Sequence, residues 1–232
     1  LNNYKQIISK NILERVNTPK DSLLYAKAME SAITLVKNSN ESLPLSSEKR
    51  YLHIPFGENI SSEYLVDKMK NYVDVESFEG EDYSLINDTR VYDAIIISYH
   101  GSSSSPYASN IIPDDVVRKI NNISKSNNVI LNLFLNPYSL NSFNSIDNFE
   151  SIIISYQNNM ISQEIAADLM FGVRTFKGKM PVSNNFFSVN HGLSFDKKEI
   201  LGFSRPAYEG FDSKKLSYLD SIAISSIDSM IA

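Results

Sequence analysis

The sequence predicts an α/β fold, with a doubly wound, mostly parallel sheet of five or six strands and helices on both faces. Short apolar runs without polar alternation recur along the chain, as in strands covered on both faces; residues 95–97 and 152–154 are the clearest. Helical patterns separate these runs, and right-handed strand–helix–strand connections build a parallel sheet. With 232 residues, 42% of them hydrophobic, the chain can bury one substantial core.

The chain before the first predicted strand favours helices. Apolar spacing indicates one at residues 4–12. A second begins with Thr18 as its cap and Asp21 reaching back to it. We expect this helix to carry Leu35 on its apolar face and to end at residues 37–38, where a lysine and an asparagine suit a helix C-terminus.

Strands and helices then alternate. Strands are predicted at 51–55, 73–78, 94–99, 129–135 and 151–156, and helices at 61–70, 113–123 and 161–170. The last helix is expected to bury its apolar residues and to turn its polar ones, Gln163, Glu164 and Asp168, away from the core. Gly172 supplies the residue expected just past its end.

Composition excludes several classes of function. The 22 Lys and Arg are outnumbered by 27 Asp and Glu, so a net charge of −5 provides no positive field for nucleic acid. Cysteine is absent, which excludes disulfides and thiolate metal sites. No stretch approaches the ~18 apolar residues of a membrane span. The three histidines lack metal-ligand spacing, and no phosphate-binding glycine loop or nucleophile elbow occurs, so neither a metal nor a cofactor is expected.

Four ordered motifs carry a family resemblance. They are AMESAITLVKN before LPL at residues 28–45, NPYSL at 136–140, QEIAADLMFG at 163–172 and GKMPVS at 178–183. Together they resemble the second, α/β sandwich domain of glycoside hydrolase family 3. Membership would imply a carbohydrate substrate and a catalytic (β/α)8 barrel, in the same polypeptide, that carries the nucleophilic Asp.

The resemblance also implies a division of the chain. Residues 1–45 would be connector helices from the barrel, 46–203 the sandwich domain, and 204–232 a linker and the start of a further domain. The YEGFDS motif at 208–213 resembles the entry into a β-lactamase-like serine hydrolase domain. Exported bacterial β-N-acetylglucosaminidases share this arrangement, so the full-length protein is expected to be periplasmic or secreted.

Three functions remain open. In the β-glucosidase branch of the family, an acidic loop of this domain supplies the acid/base group; here no carboxylate occurs between Asp93 and Asp114. The resemblance therefore favours a noncatalytic accessory domain of a β-N-acetylglucosaminidase. The alternatives are a β-glucosidase-type domain, with Glu79 or Glu81 as the acid, and an independent flavodoxin-like binding module.

The candidate site residues follow the 94–99 strand at its carboxyl end, where α/β sheets usually hold ligands. They are His100, Ser102, Ser103 and Tyr107, which are expected to line the mouth of the barrel and contact substrate. The competing interpretation of this serine-rich segment is a solvated connection. Residues 111–112 and 136–138 are expected to form an apolar surface beside it.

Overall fold

A computed structural model of the chain describes residues 18–57, 61–78, 91–101 and 111–229. In these residues the helices are α1 (Pro19–Ala32), α2 (Glu63–Met69), α3 (Asp114–Ser124), α4 (Met160–Met170) and α5 (Ser213–Asp228). The strands are β1 (Thr34–Asn38), β2 (Tyr51–Gly57), β3 (Val75–Ser77), β4 (Ala94–His100), β5 (Val129–Phe134) and β6 (Phe149–Ile154). The helix predicted at residues 4–12 lies outside the described part.

The strands form one six-stranded sheet in the order β1-β6-β5-β4-β2-β3. All neighbouring pairs are parallel except β1 and β6, which are antiparallel. Helix α3 covers one face, where Val117 and Ile120 pack on strand residues such as Ile97 and Leu131. Helices α2 and α4 pack on each other over the opposite face. The predicted α/β sandwich is therefore confirmed.

The prediction was wrong about β1. Helix α1 has the expected start, since the Thr18 hydroxyl lies 2.6 Å from an Asp21 carboxylate oxygen, but it ends at Ala32. Residues 34–38 then form an edge strand instead of the last turn of the helix. Leu35 is buried by sheet packing, and its i+3 spacing from Ala32 imitated a continued helical face.

The prediction was also wrong about the polar residues of α4. Gln163, Glu164 and Asp168 are buried rather than directed away from the core. Helix α4 is enclosed because it lies between the sheet and its neighbours: α2 packs against it, and the Leu45 amide donates to the Met170 carbonyl. Gly172 ends it as predicted, with a φ of +74°.

The segment after residue 180 lies along the outer edge of β1. The Leu193 amide donates to the Leu35 carbonyl at 2.8 Å, and the Nε2 atom of His191 lies 2.8 Å from the Val36 carbonyl oxygen. These contacts cover backbone groups that an open edge would expose.

The chain divides into two compact units, Met29–Gly202 and a second that comprises Leu1–Ala28 and Phe203–Ala232. In the described part of the second unit, α5 has no buried residue and exposes Tyr218, Leu219, Ile222, Ile224 and Ile227. The predicted domain limits at 45 and 203 stay a prediction. None of the described helices has the length and apolar character needed to cross a membrane.

Candidate functional site at the carboxyl ends of the strands

The predicted site residues lie at the carboxyl end of β4, or beyond it. His100 ends that strand, and its side chain is fully buried. Ser102, Ser103 and Tyr107 lie outside the described residues. The predicted contact of these four residues with substrate therefore stays a prediction.

Among the described residues at this edge of the sheet, two apolar side chains are exposed. Ile111 is 68% exposed and Tyr138 is 47% exposed, while Ile112 is fully buried. The Ile112 amide donates to the Ser142 hydroxyl at 2.9 Å, which ties residues 111–112 to the 3-10 helix Pro137–Ser142 that carries Tyr138. Ile112 is thus not part of the exposed apolar surface expected here, and the contribution of Tyr107 lies outside the described residues.

A layer of polar side chains lies beneath α4, on one face of the sheet. His53 of β2, Ser98 and His100 of β4 and Asn132 of β5 are all fully buried. They share a face because side chains alternate along each strand, and Ser98 and Asn132 are register partners. In a sheet of otherwise apolar strands this layer needs a complete set of hydrogen bonds.

Three of these side chains join Ser77 and Asn158 in a continuous hydrogen-bonded relay. It runs from Ser77 through His53, Ser98 and His100 to Asn158. Successive distances are 3.0 Å from Ser77 Oγ to His53 Nδ1, 2.7 Å from His53 Nε2 to Ser98 Oγ, 2.7 Å from Ser98 Oγ to His100 Nε2, and 2.9 Å from His100 Nδ1 to Asn158 Oδ1. The relay thus joins β3, β2, β4 and the segment that precedes α4.

A backbone amide fixes the direction of the bonds at the Asn158 end. The Leu65 N–H can only donate, and it lies 3.1 Å from Gln163 Oε1. The Nε2 atom of Gln163 therefore donates to the Ser61 carbonyl at 2.6 Å and to Asn158 Oδ1 at 2.9 Å. Since Asn158 Oδ1 only accepts, His100 must carry its proton on Nδ1.

The direction then follows through the rest of the relay. A neutral His100 with Nδ1–H accepts at Nε2, so the Ser98 hydroxyl donates to it. Ser98 Oγ has one proton and is left to accept from His53 Nε2–H. His53 Nδ1 then accepts from the Ser77 hydroxyl. Every donor in the relay has one acceptor, and the bonds all run the same way.

Burial keeps both rings neutral. Desolvation lowers the pKa of His53 to about 3, and the neighbouring His100 adds to the effect. Burial likewise lowers the pKa of His100, although its hydrogen bond to Asn158 acts in the opposite direction. His100 also stacks on Phe134, with ring centroids 4.9 Å apart. At neutral pH the relay therefore holds two uncharged imidazoles.

Part of the relay has the geometry of a nucleophile, a base and an orienting group. Ser98 donates to His100, and Asn158 orients the far side of the ring, as in serine–histidine catalysis. Ser98 and His100 are nevertheless fully buried, and the Ser98 oxygen also accepts from His53. A substrate has no access to this hydroxyl, so the arrangement supports the sheet rather than acyl transfer.

Two buried polar atoms near the relay have no hydrogen-bond partner in the described residues. They are Asn132 Nδ2 and Ser162 Oγ. The oxygen of the same Asn132 amide accepts from the Ser155 hydroxyl at 2.6 Å. Ordered water commonly satisfies such groups.

The carboxylates nearest this edge, Glu63, Asp114 and Asp115, are exposed in the first turns of α2 and α3. Asp168 of α4 is buried between Lys68 and Arg174.

A cavity of about 240 Å³ lies at the opposite, amino edge of the sheet. Its lining residues are Asn40, Glu41, Ser42, Lys49, Tyr51, Asp93, Ala94, Asn128 and Glu150. Within the described ranges no group of three His, Asp or Glu side chains could hold a metal ion. The alternative acids Glu79 and Glu81 lie outside those ranges.

Sequence reasoning missed most of the relay. The available signal was a polar residue inside a buried strand, as with His53 and Ser98, because such a side chain needs a partner. Spacing along the chain could not reveal Asn158 or Gln163, since their partners lie about 58 and 98 residues away in sequence.

Comparison with known proteins defines the class of fold. A β-N-acetylglucosaminidase of glycoside hydrolase family 3 from Paenibacillus is similar with a TM-score of 0.55 and 15% identity, over 79% of this chain and 34% of that one. A β-glucosidase from Listeria innocua is similar with a TM-score of 0.55 and 12% identity, over 75% of this chain and 29% of that one. A family 3 exo-β-xylosidase is similar with a TM-score of 0.56 and 18% identity, over 69% of this chain and 25% of that one.

The chain thus has the fold of one part of the family 3 glycoside hydrolases, as the sequence motifs predict, and spans about a third or less of those enzymes. No protein-family model matches the sequence, and no curated protein matches it.

Proposed function

We propose that this chain is the noncatalytic α/β sandwich domain of a family 3 glycoside hydrolase and packs beside a catalytic barrel in the same polypeptide. The observation that carries the proposal is the fold, which covers a quarter to a third of several such enzymes. The four ordered sequence motifs support it independently, because they do not depend on the comparison of structures.

The chemistry of the described residues supports a noncatalytic role. Glycoside hydrolysis uses two carboxyl groups that flank the scissile bond. The buried polar side chains at the carboxyl edge are serine, histidine and amide groups engaged with one another, and the carboxylates in the first turns of α2 and α3, Glu63, Asp114 and Asp115, are exposed. Asp168, which like Glu164 is a buried carboxylate of α4, is paired with Lys68 and Arg174 and is only 3% exposed. This domain is therefore better suited to packing than to proton transfer to a sugar.

The finer proposal is a β-N-acetylglucosaminidase that is exported to the periplasm or secreted. It is supported by the absence of any carboxylate in the sequence between Asp93 and Asp114, where a β-glucosidase-type domain would carry its acid. One of the similar solved structures is such an enzyme. The substrate would reach this domain only through the barrel, and Ser102 and Ser103 are the residues we expect nearest to it.

The exposed pair Ile111 and Tyr138 marks the surface that we assign to the barrel. Contacts between domains of one chain commonly bury roughly 600–1,500 Å². Exposed apolar side chains at the ligand edge of an α/β sheet are suitable for such a contact.

Hydrogen exchange tests this arrangement without any substitution. In the full-length gene product, the amides around Ile111 and Tyr138 should exchange more slowly than in the 232-residue chain. Peptides that contain Val91, which is 46% exposed before the amino end of β4, serve as the control and should exchange equally in both. Equal exchange at all three positions would contradict docking at this edge.

A further inference from the structure

We propose that Ser77, His53, Ser98 and His100 form a proton-accepting relay that holds no extra proton at neutral pH and takes up one, shared between the two histidines, in acid. The inference rests on the hydrogen-bond directions in the sheet and is independent of the proposed function. Asn158 closes the relay at one end because an amide cannot pass a proton on, so protons enter at Ser77, which is half-buried at the β3 edge.

The proton moves by four coupled transfers, one from solvent and three along the relay. A hydronium ion protonates Ser77 Oγ while the original Ser77 proton passes to His53 Nδ1. The Nε2 proton of His53 passes to Ser98 Oγ, and the Ser98 proton passes to His100 Nε2. Four N–H or O–H bonds break, one of them in the hydronium ion, and four form, so the hydronium ion leaves as water and His100 gains one positive charge.

The charged relay keeps every hydrogen bond. His100 now donates from Nε2 to Ser98, Ser98 donates to His53 Nε2, and His53 donates from Nδ1 to Ser77, so the three bonds persist with their direction reversed. If the proton instead stays on His53, that ring donates to Ser77 and to Ser98, and Ser98 still donates to His100. Both single-proton states are fully bonded, and the charge can lie on either ring.

A second proton has no such arrangement. With both rings charged, Ser98 Oγ would face an N–H from each side, and its own proton would have no acceptor in the relay. Two positive charges would also lie on either side of one buried hydroxyl. The relay is therefore a one-proton site, with Ser98 as the group that couples the two histidines.

The described side chains in direct contact with the two rings are uncharged. On the strands and the segment before α4, the side chains that contact them are Ser77, Ser98, Phe134 and Asn158. The helices on this face carry Lys68, Glu164 and Asp168 as buried charged residues, and Lys68 and Asp168 are paired with each other. Burial and, to a lesser extent, the neighbouring His100 lower the pKa of His53. Burial lowers the pKa of His100, while its hydrogen bond to Asn158 acts to raise it.

Nitrogen NMR of the 232-residue chain with labelled histidines tests the relay at neutral pH. We expect His53 as the Nε2–H tautomer and His100 as the Nδ1–H tautomer. In Ser98→Ala, His53 loses the acceptor for Nε2–H and should change to Nδ1–H, which can donate to Ser77, while His100 keeps its tautomer. Ser155→Ala removes a buried serine that bonds to Asn132 instead, and should leave both tautomers unchanged.

Acid titration gives the second readout. The folded wild-type chain should take up one proton across His53 and His100, with both ring signals shifting together. The opposite tautomer on either ring at neutral pH would overturn the proposal, and so would uptake of two protons by the folded chain. Because the tautomers of His53 and His100 are measured in the wild-type chain, they test the proposal even if Ser98→Ala does not fold.

Discussion

Lys68 of α2 and Asp168 of α4 form a buried ion pair, with 3.1 Å between Nζ and Oδ1 and side chains only 8% and 3% exposed. The Tyr72 hydroxyl donates to the same oxygen at 2.6 Å. Arg174 donates from Nε to the other oxygen at 3.0 Å and, from Nη1, to Glu30. The carboxylate of Asp168 thus joins the two helices over one face of the sheet.

Removing that carboxylate should destabilise the fold strongly. In Asp168→Asn, Lys68 stays buried and positively charged without its partner, and the loss of one member of a buried pair costs about 3–5 kcal/mol. The free energy of unfolding, from urea denaturation, measures the effect. Lys119→Gln, which breaks an exposed i,i+4 pair with Asp115, is the matched control and should cost less than about 1 kcal/mol. Equal losses in the two variants would contradict the role assigned to Asp168.

Stability should fall as the pH drops below 6.5. The pKa of His53 is about 3 in the folded chain and near 6.5 when unfolded, so the unfolded state binds the proton first. The stability contributed by the neutral ring is fully present above pH 6.5. It is lost toward pH 3, at up to about 1.4 kcal/mol per pH unit for this one group.

Urea denaturation between pH 7 and pH 5 measures this dependence. His53→Gln should be less stable at pH 7 but should show a shallower slope than wild type. Ser155→Ala removes a buried hydrogen bond to Asn132 but no titratable group, and should keep the wild-type slope. A wild-type slope in His53→Gln would show that other groups cause the acid sensitivity.

Gly172 should not tolerate a branched side chain. Its φ of +74° is in the left-handed region, and an added Cβ would lie 3.0 Å from Pro44 Cβ and 3.2 Å from Lys198 Cγ. Left-handed backbone costs an L-residue about 1–2 kcal/mol, and crowding adds to this in Gly172→Val. Gly172→Asn should lose less, because asparagine adopts this conformation more readily. Thermal unfolding of both variants measures the two losses of stability. A smaller loss in Gly172→Val than in Gly172→Asn would contradict the argument.

Removal of residues 203–232 should leave the stability of the Met29–Gly202 unit nearly unchanged. That unit is compact by itself, and α5 contains no buried residue. Thermal unfolding of a chain cut after Gly202 would show the same midpoint as the intact chain. A clearly lower midpoint would mean that the removed segment stabilises the sheet.

The sequence predicted the parallel strands and α4 because their apolar runs have a direct physical cause in two-sided burial. It did not predict β1, where Leu35 suits both a helix and a strand and only pairing with β6 decides between them. The sequence likewise did not predict the hydrogen bonds of His53 and Asn158. They depend on side chains that only the folded sheet brings together, and each residue alone also suits a surface position.

The most direct test of the proposed function is the rate at which aryl β-N-acetylglucosaminide is hydrolysed by the 232-residue chain and by the full-length gene product. We predict turnover by the full-length product and none by the isolated chain above a blank. Turnover by the isolated chain would contradict the noncatalytic assignment. So would a loss of ~100-fold or more in the full-length product with Glu79→Gln or Glu81→Gln, since that is the effect expected of a catalytic acid.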